Sequence, residues 1–338
     1  MVTLKDIATK CSLSVATVSK ALNNMPDISP ATVQRVQEAA QAMGYLPNAA
    51  ARSMKTGRSM TIGMVVFLGA ESFWTHHYSA LIADSIHRVM EDSGYDLTPV
   101  SIKGAGTMGG YLNYCRYRNY DGLIVMSGGD LETSVTDLAD SDFPLIAIDC
   151  QLEGRASVSS DNIDGVRTLV RHAYSRGHRR IAFVHGNDSS VTRDRVSGFR
   201  AACQELNLSI PEAYIREGPY LSREDSARAT EALLALSEPP TCILYPDDQA
   251  CLGGIRAIKA RGLSIPRDIS IIGYDDAPCA EVLQPRLTTY RQNCAAIGAS
   301  AARMLLEAIA DPASFVPRHV IIPGKLIPGE SVLDLNQP

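Results

Sequence analysis

Apolar residues recur at helical spacing in three short groups within the first 46 residues. Thr3–Asp6 has the pattern of a capping box, which predicts a helix start. Ser14 suits the N-cap of a second helix over Val15–Leu22, while Pro30 opens a third helix that Gly44 ends. Two short helices joined by a tight turn and followed by a support helix predict an all-α helix-turn-helix domain.

The rest of the chain alternates β-rich runs with helical stretches. The strand-like runs are Thr61–Phe67, Gly122–Met126, Pro144–Asp149, Arg180–His185, Thr241–Tyr245 and Ile269–Tyr274. The helical stretches are Tyr78–Ser93, Leu131–Ala139, Asp161–Arg176, Arg193–Leu206, Ala227–Leu236 and Gln249–Arg261. This alternation predicts an α/β body of two doubly wound lobes, each a parallel sheet with helices on both faces. Ligands bind beyond the carboxyl ends of such strands, where Asp149, Asp247 and Asp275 lie.

Composition narrows the class of protein. The 338 residues are 45% hydrophobic, which excludes a disordered or collagen-like chain. No apolar run approaches the ~20 residues that span a bilayer, and the start does not resemble a secretion signal. The 8 cysteines are scattered without a C-x-x-C pair. We therefore expect a cytoplasmic protein with reduced thiols, no metal site and no membrane partner.

Charge is distributed unevenly along the chain. Residues 1–60 contain seven basic and three acidic groups, a net charge of +4, whereas the remainder contains 25 basic and 34 acidic groups, a net charge of −9. A small basic segment in front of a large acidic body indicates a module that binds a polyanion.

The second predicted helix presents the residue types that read DNA. A recognition helix in the major groove contacts base edges with its outer face. Lys20 can donate to guanine, and Val15 and Ala16 can contact a thymine methyl group. The side chains suited to phosphate oxygens are Thr3, Thr17, Ser19 and Asn23. The alternative is a small three-helix packing domain with an exposed polar face.

Residues 47–60 have the composition of a hinge. Asn48 can cap an alanine-rich helix that includes Ala51 and Arg52. The segment is shorter than the ~12–15 residues of a stable isolated helix, so we expect it to fold on docking to DNA. Met54 is then a candidate apolar wedge in the minor groove. The alternative is an ordinary linker.

Distinct motifs run along nearly the whole chain, to about Gly329. Those of the head and hinge are Thr3-Leu4-x-Asp6-Ile7-Ala8, Ser14-x-Ala16-Thr17-Val18-Ser19-Lys20-x-Leu22-Asn23 and Gly44-Tyr45-x-Pro47-Asn48-x-x-Ala51-Arg52. Those of the body are Arg176-Gly177-His178-Arg179-Arg180-Ile181-Ala182-Phe183, Arg195-x-x-Gly198-Phe199, Asp248-Gln249-Ala250-x-x-Gly253, Asp268-Ile269-Ser270-Ile271-Ile272-Gly273-Tyr274-Asp275-Asp276 and Pro285-x-Leu287-Thr288-Thr289. Together these motifs resemble the lac/galactose repressor family of bacterial transcriptional regulators. Three departures from the family pattern are Ser12 for the usual Gly, Lys20 for Arg and Met54 for Leu. Because Lys lacks the bidentate fork of Arg, Lys20 is expected to discriminate bases less strongly.

The resemblance implies a domain organisation and a ligand cleft. A helix-turn-helix head would occupy residues 1–46, a hinge residues 47–60, and a periplasmic-binding-protein type I core residues 61–338. The chain would cross between the lobes three times. By position in the family motifs, the effector-binding candidates are Trp74, Tyr78, Ser79, Asp149, Arg195, Tyr220, Asp247 and Asp275. Three aspartates against one arginine disfavour an anionic ligand and favour a neutral sugar, whose hydroxyls they can bind. The alternatives are helix N-caps or solvated loops for the aspartates and a packing role for Tyr220.

Two further motifs are weak. Gly104–Gly109 matches the G-x-G-x-x-G of dinucleotide-binding enzymes, but it does not follow the first strand, and a flexible loop is the favoured interpretation. His76 and His77 have no third metal ligand at a clear spacing. Because hydrolase and Walker motifs are missing as well, we expect neither an enzyme nor a cofactor. A transport-linked solute-binding protein would need an export signal where the basic head lies.

The expected mechanism follows from linkage between two sites. One recognition helix per chain favours a homodimer on a near-palindromic operator. A sugar in the cleft would shift the lobes and release the operator DNA. The alternative is a corepressor mode, in which a purine or a partner protein binds the regulator and favours DNA binding.

Overall fold

The structure is a computed structural model that describes residues 2–46, 53, 57–67, 76–127 and 137–337. The chain forms two compact units, which divide between Ser59 and Met60. Among the described residues, no helix is long and apolar enough to cross a membrane.

The first unit contains three helices around a small core. These helices are α1 (Leu4–Cys11), α2 (Val15–Leu22) and α3 (Pro30–Ala42). One apolar residue from each, Ile7, Val18 and Val36, is fully buried. A few buried side chains of this size make a small core, so the helix ends need good caps to hold their positions.

The predicted caps of these helices are present. The Oγ1 of Thr3 accepts a hydrogen bond from the backbone N–H of Asp6, whose carboxylate accepts from the N–H of Thr3 at 2.8 Å. This is the reciprocal pair of a capping box. Ser14 caps α2 by accepting from the N–H of Thr17 at 3.0 Å. Gly44, at φ +66°, ends α3 in the left-handed conformation.

The second unit begins with a parallel six-stranded sheet, which we call the sheet of lobe 1. Its strands are β1 (Thr61–Phe67), β2 (Asp96–Pro99), β3 (Gly122–Ser127), β4 (Leu145–Ile148), β5 (Ala156–Ser160) and β11 (His319–Ile322), in the order β11-β5-β4-β3-β1-β2. Its helices are α4 (His77–Asp92), α5 (Ile102–Thr107), α6 (Tyr111–Tyr117) and α12 (Cys294–Ala310). Ile124 packs beneath α4 and α12, whereas Leu123 packs on the opposite face beneath α6. Burial on both faces explains the continuous apolar run of β3.

A smaller sheet forms the centre of lobe 2. Its strands are β6 (Ile181–His185), β7 (Ile215–Glu217), β8 (Cys242–Leu244) and β9 (Ser270–Ile272), all parallel in the order β7-β6-β8-β9. Its helices are α7 (Asn162–Ser175), α8 (Ser190–Glu205), α9 (Arg223–Leu234), α10 (Asp248–Ala260) and α11 (Pro278–Val282), with a 3-10 turn at Glu212–Tyr214. Phe199 of α8 packs on one face and Ile258 of α10 on the other.

The chain passes between the lobes three times, as expected. The first passage joins β5 to α7, and the second joins β10 (Thr289–Arg291) to α12. The third joins β11 to β12 (Lys325–Ile327), which pairs antiparallel with β10. The expected α/β architecture of two parallel-sheet lobes behind an all-α head is therefore confirmed.

Some expected boundaries are wrong. The helix expected from Arg193 begins at Ser190, and the helix expected from Ala227 begins at Arg223, because Ser189 and Ser222 cap them earlier. The segment Gly104–Gly109 is not a flexible loop, because its first four residues lie in α5. Most of the expected helix 131–139 lies outside the described residues.

Candidate functional site

The outer face of α2 carries the candidate DNA-reading residues of the head. Val18 and Ala21 point into the core, so the opposite side of the helix is left at the surface. Val15 is 44% exposed, and Ala16 is exposed beside it. The helix therefore presents small side chains that permit close approach to another surface.

The polar candidates of the head have partners within the head itself. The Oγ1 of Thr17 lies 2.8 Å from Oγ of Ser14, and the amide of Asn23 donates to the carbonyl of Ser19 at 2.6 Å. The ammonium of Lys20 lies 2.5 Å from Oδ2 of Asp27. Of the expected DNA contacts, Asn48, Ala51, Arg52 and Met54 lie outside the described residues.

Asp149 lies in the second unit, directly after β4, with backbone φ at 58°. Its Oδ2 accepts a hydrogen bond from the hydroxyl of Tyr78 at 2.7 Å, and its carbonyl accepts from Ser190 of lobe 2 at 3.1 Å. The side chain is buried, and Oδ1 has no partner among the described residues. Burial raises the pKa of Asp149 to about 6, although the Tyr78 hydrogen bond, the charge of Arg195 and the nearby backbone N–H of Ser160 act in the opposite direction. A buried carboxylate oxygen without a partner is costly unless a ligand or water binds it.

Arg195 of α8 is held in place on several sides. Its Nε donates to Oδ1 of Asn162, and its Nη1 donates to the carbonyl of Pro246, both at 2.8 Å. Its guanidinium lies 3.7 Å from the ring centre of Tyr274 and 5.6 Å from that of Tyr220. Burial alone would lower the pKa of Arg195, but the neighbouring phenol groups and the Asp275 carboxylate hold it above its usual value.. The site therefore contains a fixed and permanently charged donor.

The ring of Tyr220 packs against a glycine. A Cβ at Gly186 would lie 2.1 Å from a ring carbon, so only glycine leaves room for the ring. The hydroxyl of Tyr220 pairs with Oγ1 of Thr192 at 2.9 Å. These contacts fix the ring beside Arg195.

Asp247 has the arrangement of a helix N-cap. Its Oδ1 accepts from the N–H of Ala250 at 2.7 Å, at the start of α10. Its Oδ2 accepts from the N–H of Leu221 at 2.8 Å, which ties the start of α10 to the loop that carries Tyr220. Burial and the nearby charge of Asp275 raise the pKa of Asp247 to about 6. The N-cap interpretation of this residue therefore describes the geometry, with or without a ligand.

Asp275 is more accessible than the other two aspartates. It follows β9 at φ 100°, and its Oδ1 accepts from the side-chain amide of Gln292 at 2.6 Å. With Tyr78 of lobe 1, it lines a groove between the lobes that has a volume of about 440 Å³. The other residues around this groove are His76, His77, Leu221, Ser222, Arg223, Glu224, Asp248, Gln249 and Ala277.

The remaining first-lobe candidates are less informative. Ser79 is fully buried, and its hydroxyl lies 2.8 Å from Nδ1 of His76, the N-cap of α4. Trp74 lies outside the described residues. The described residues contain no cluster of His, Cys, Asp or Glu side chains fit for a metal ion.

Sequence reasoning missed several residues that shape the site. Asp248 is buried, accepts from the N–H of Ala277 at 2.7 Å and from the hydroxyl of Thr289 at 2.8 Å, and so fixes the loop after β9. Its position shortly after an apolar strand could have identified Asp248 as a site residue from the sequence. Asn162 and Gln292, which orient Arg195 and Asp275, gave no signal of that kind because they act through long-range contacts.

Comparisons with known proteins identify the family of the chain. The model of the bacterial regulatory proteins of the lacI family matches residues 3–48, and that of a periplasmic binding protein-like domain matches residues 170–332. The probable HTH-type transcriptional repressor ExuR of Bacillus subtilis is 32% identical, over 92% of this chain and 93% of its own length. Catabolite control protein A of Priestia megaterium is 31% identical, over 90% and 92% respectively. The PurR repressor of Vibrio cholerae is 30% identical over 92% of each.

Solved structures show the same fold over the whole chain. A Lac repressor dimer bound to operator and the anti-inducer ONPF superposes with a TM-score of 0.83 at 25% identity, covering 98% of this chain and 99% of that one. A complex of the regulator CelR with cellobiose has a TM-score of 0.73 at 24% identity, covering 98% and 100%. The relatives named here are transcriptional repressors or regulators rather than enzymes. The chain therefore belongs to the lacI family of bacterial regulatory proteins and is a DNA-binding transcriptional regulator.

Proposed function

We propose that the protein is a repressor of sugar-metabolism genes, released from its operator by a neutral sugar in the cleft between the lobes. The observation that carries this proposal is the buried Oδ1 of Asp149, which has no partner among the described residues. A sugar hydroxyl is a donor of the right size for that oxygen.

The charge around the cleft supports a neutral ligand. Asp149, Asp247 and Asp275 all influence one another or Arg195 electrostatically, so the buried Arg195 cation is opposed by three carboxyl groups. An added carboxylate or phosphate would meet more repulsion than attraction. A ring with several hydroxyls can instead donate to the aspartates, accept from Arg195 and stack its C–H face on Tyr220.

The head supports operator binding through α2. Lys20, Val15 and Ala16 would face base edges, while the side chains assigned to phosphate oxygens are Thr3, Thr17, Ser19 and Asn23. Residues 1–46 would form the reading head and residues 47–60 a hinge, in which Asn48, Ala51 and Arg52 contact DNA and Met54 enters the minor groove. Two heads in a homodimer would address a near-palindromic operator.

Coupling follows from the groove between the lobes. Tyr78 of lobe 1, which donates to Asp149, and Asp275 of lobe 2 both line this groove. One ligand that touches both lobes therefore favours one arrangement of the core, residues 61–338. Typical coupling free energies of ~1–3 kcal/mol change operator affinity about five- to 150-fold. The ligand acts only as far as it binds the two arrangements with different affinity.

A ligand screen followed by one variant tests the proposal. Sugars, glycosides and purine bases are added to the full-length protein, and a compound that binds the folded form raises the melting temperature. Asp275→Ala is then expected to abolish the response of DNA binding to that compound while leaving the affinity for DNA itself unchanged. Gel-shift titrations with and without the compound measure both quantities.

Asp276→Ala is the matched control. It removes the same charge one residue away, where the carboxylate pairs with Arg291 and lines the neighbouring groove of about 710 Å³ instead of the 440 Å³ groove. A normal ligand response in Asp275→Ala would exclude this cleft as the effector site.

A purine corepressor is the second candidate, because several relatives at about 30% identity are PurR repressors. The same screen separates the two functions. A purine that stabilises the protein and tightens DNA binding would support the corepressor mode, and a sugar that weakens DNA binding would support induction.

A further inference from the structure

The ion pair between Lys20 and Asp27 involves the cation that we propose as a base reader. Nζ of Lys20 lies 2.5 Å from Oδ2 of Asp27, and the two side chains are 51% and 54% exposed. Lys20 lies in the last turn of α2, and Asp27 lies in the segment between α2 and α3. Both partners are therefore at the surface, where DNA can reach them.

Hydrogen bonds other than the ion pair also hold this segment. The N–H of Met25 donates to the carbonyl of Lys20 at 3.0 Å, and the N–H of Ile28 donates to the carbonyl of Met25 at 3.1 Å. The side chain of Gln37 in α3 donates to Oδ1 of Asn24 at 3.1 Å. Exposed ion pairs contribute little to stability, so the Asp27 carboxylate needs another explanation.

A carboxylate beside a DNA-reading lysine has a cost and a benefit. It repels phosphate, and it cancels much of the attraction that Lys20 would have for any DNA sequence. In return it restricts the direction of an ammonium group at the end of a flexible stem. Lysine has three N–H donors but no fixed geometry, unlike the planar fork of arginine.

The geometry points to Asp27 as a specificity-determining residue that acts through Lys20. We propose that Asp27 accepts a hydrogen bond from one ammonium N–H of Lys20 and thereby directs the other two N–H groups toward the N7 and O6 acceptors of a guanine. The two remaining N–H donors of Lys20 would then point in a fixed direction, as two donors of an arginine side chain do without a partner. The inference rests on the proposed role of α2 in reading DNA.

The experiment uses the full-length protein and three kinds of DNA probe. The first is a duplex enriched by the wild-type protein from a random-sequence library. The second set carries single substitutions of its G·C pairs, and the third probe is a shuffled duplex of the same composition. Affinities are measured at several salt concentrations.

Asp27→Asn is expected to lower the preference for the enriched duplex over the shuffled one by about fivefold or more, the lower range of a base contact with two donors. The loss should be concentrated at one G·C pair in each half-site. Binding to the shuffled duplex should strengthen, and its dependence on log salt should steepen by about 0.9 for each head, because a freed Lys20 contacts a phosphate.

Two controls separate this role from a general charge effect. Glu38→Gln removes one negative charge from the same small domain, where the carboxylate accepts from Gln34 at 3.0 Å and does not touch Lys20. It should change the affinities for all probes by one common factor. In a Lys20→Gln background, Asp27→Asn should have no further effect on base preference.

The outcomes distinguish the role of Asp27 from the proposed reading role of Lys20, on which it rests. If Lys20→Gln relaxes the preference at a G·C pair but Asp27→Asn behaves like Glu38→Gln, the role of Asp27 is overturned and that of Lys20 stands. A loss of preference in Asp27→Asn that persists without Lys20 also overturns it. If Lys20→Gln changes no base preference, both the inference and the reading role of Lys20 fail.

Discussion

At the scale of single residues, the cleft is built from buried groups whose polar capacity is only partly used. Arg195 is fully positioned by Asn162, Pro246 and Tyr274, whereas Asp149 retains one buried oxygen without a partner among the described residues. A rigid donor beside an unsatisfied acceptor is what a polar ligand requires, since the site loses little entropy when the ligand binds.

The burial of Asp149 predicts a pH dependence of stability. Because burial raises its pKa from 3.8 to about 6, the folded protein binds more protons than the unfolded chain between those values. The free energy of unfolding should therefore fall as pH rises from about 4 to 6, by up to about 3 kcal/mol for this one group. Asp149→Asn should remove that contribution, as measured by urea unfolding at a series of pH values.

The test is the sign of the difference in the free energy of unfolding between Asp149→Asn and the wild-type protein. The variant should gain stability over the wild-type protein above pH 6, and the gain should shrink toward pH 4, where the wild-type carboxyl is protonated. A constant difference across this range would show that the carboxyl of Asp149 is not shifted in the folded protein.

At the scale of elements, the sequence predicts helices with capping signals and strands with apolar runs. β1 was predicted with its observed bounds because Thr61–Phe67 is apolar and β-rich. β5 was missed because Ala156–Ser160 is small and polar, although it lies inside a sheet. The site residues that follow apolar strands were found for the same reason, whereas Asn162 and Gln292 depend on packing between distant segments, which periodicity does not encode.

The end of α1 gives a prediction at this scale. Ser12 takes the left-handed conformation at φ 52°, and the N–H of Leu13 donates to the carbonyl of Ala8 at 3.0 Å to close the helix. This conformation costs a non-glycine residue roughly 1 kcal/mol. Ser12→Gly should therefore stabilise the head by about 0.5–1 kcal/mol.

Amide hydrogen exchange of the full-length protein measures this effect. Peptides from α1 should exchange about two- to fivefold more slowly in Ser12→Gly, which corresponds to that gain in free energy. Ser12→Ala is the matched control, since it removes the hydroxyl but keeps the conformational cost, and it should show no slowing. Equal slowing in both variants would assign the effect to the hydroxyl instead.

At the scale of the whole molecule, a regulator of this kind is defined by the linkage between two units. The basic head and the two-lobed core are separate compact units, and the proposed function requires that ligand in one changes DNA affinity in the other. Thermodynamic linkage makes this relation reciprocal, so DNA must change the affinity for the ligand by the same factor.

The most direct test is a closed linkage cycle with the ligand found in the melting screen. Operator affinity is measured without ligand and at saturating ligand, and ligand affinity is measured without and with operator, in the same buffer. The account predicts one common factor of about five to 150 in the full-length protein. It also predicts no effect of operator on a chain that lacks residues 1–58. Operator affinity that stays the same at saturating ligand would contradict it.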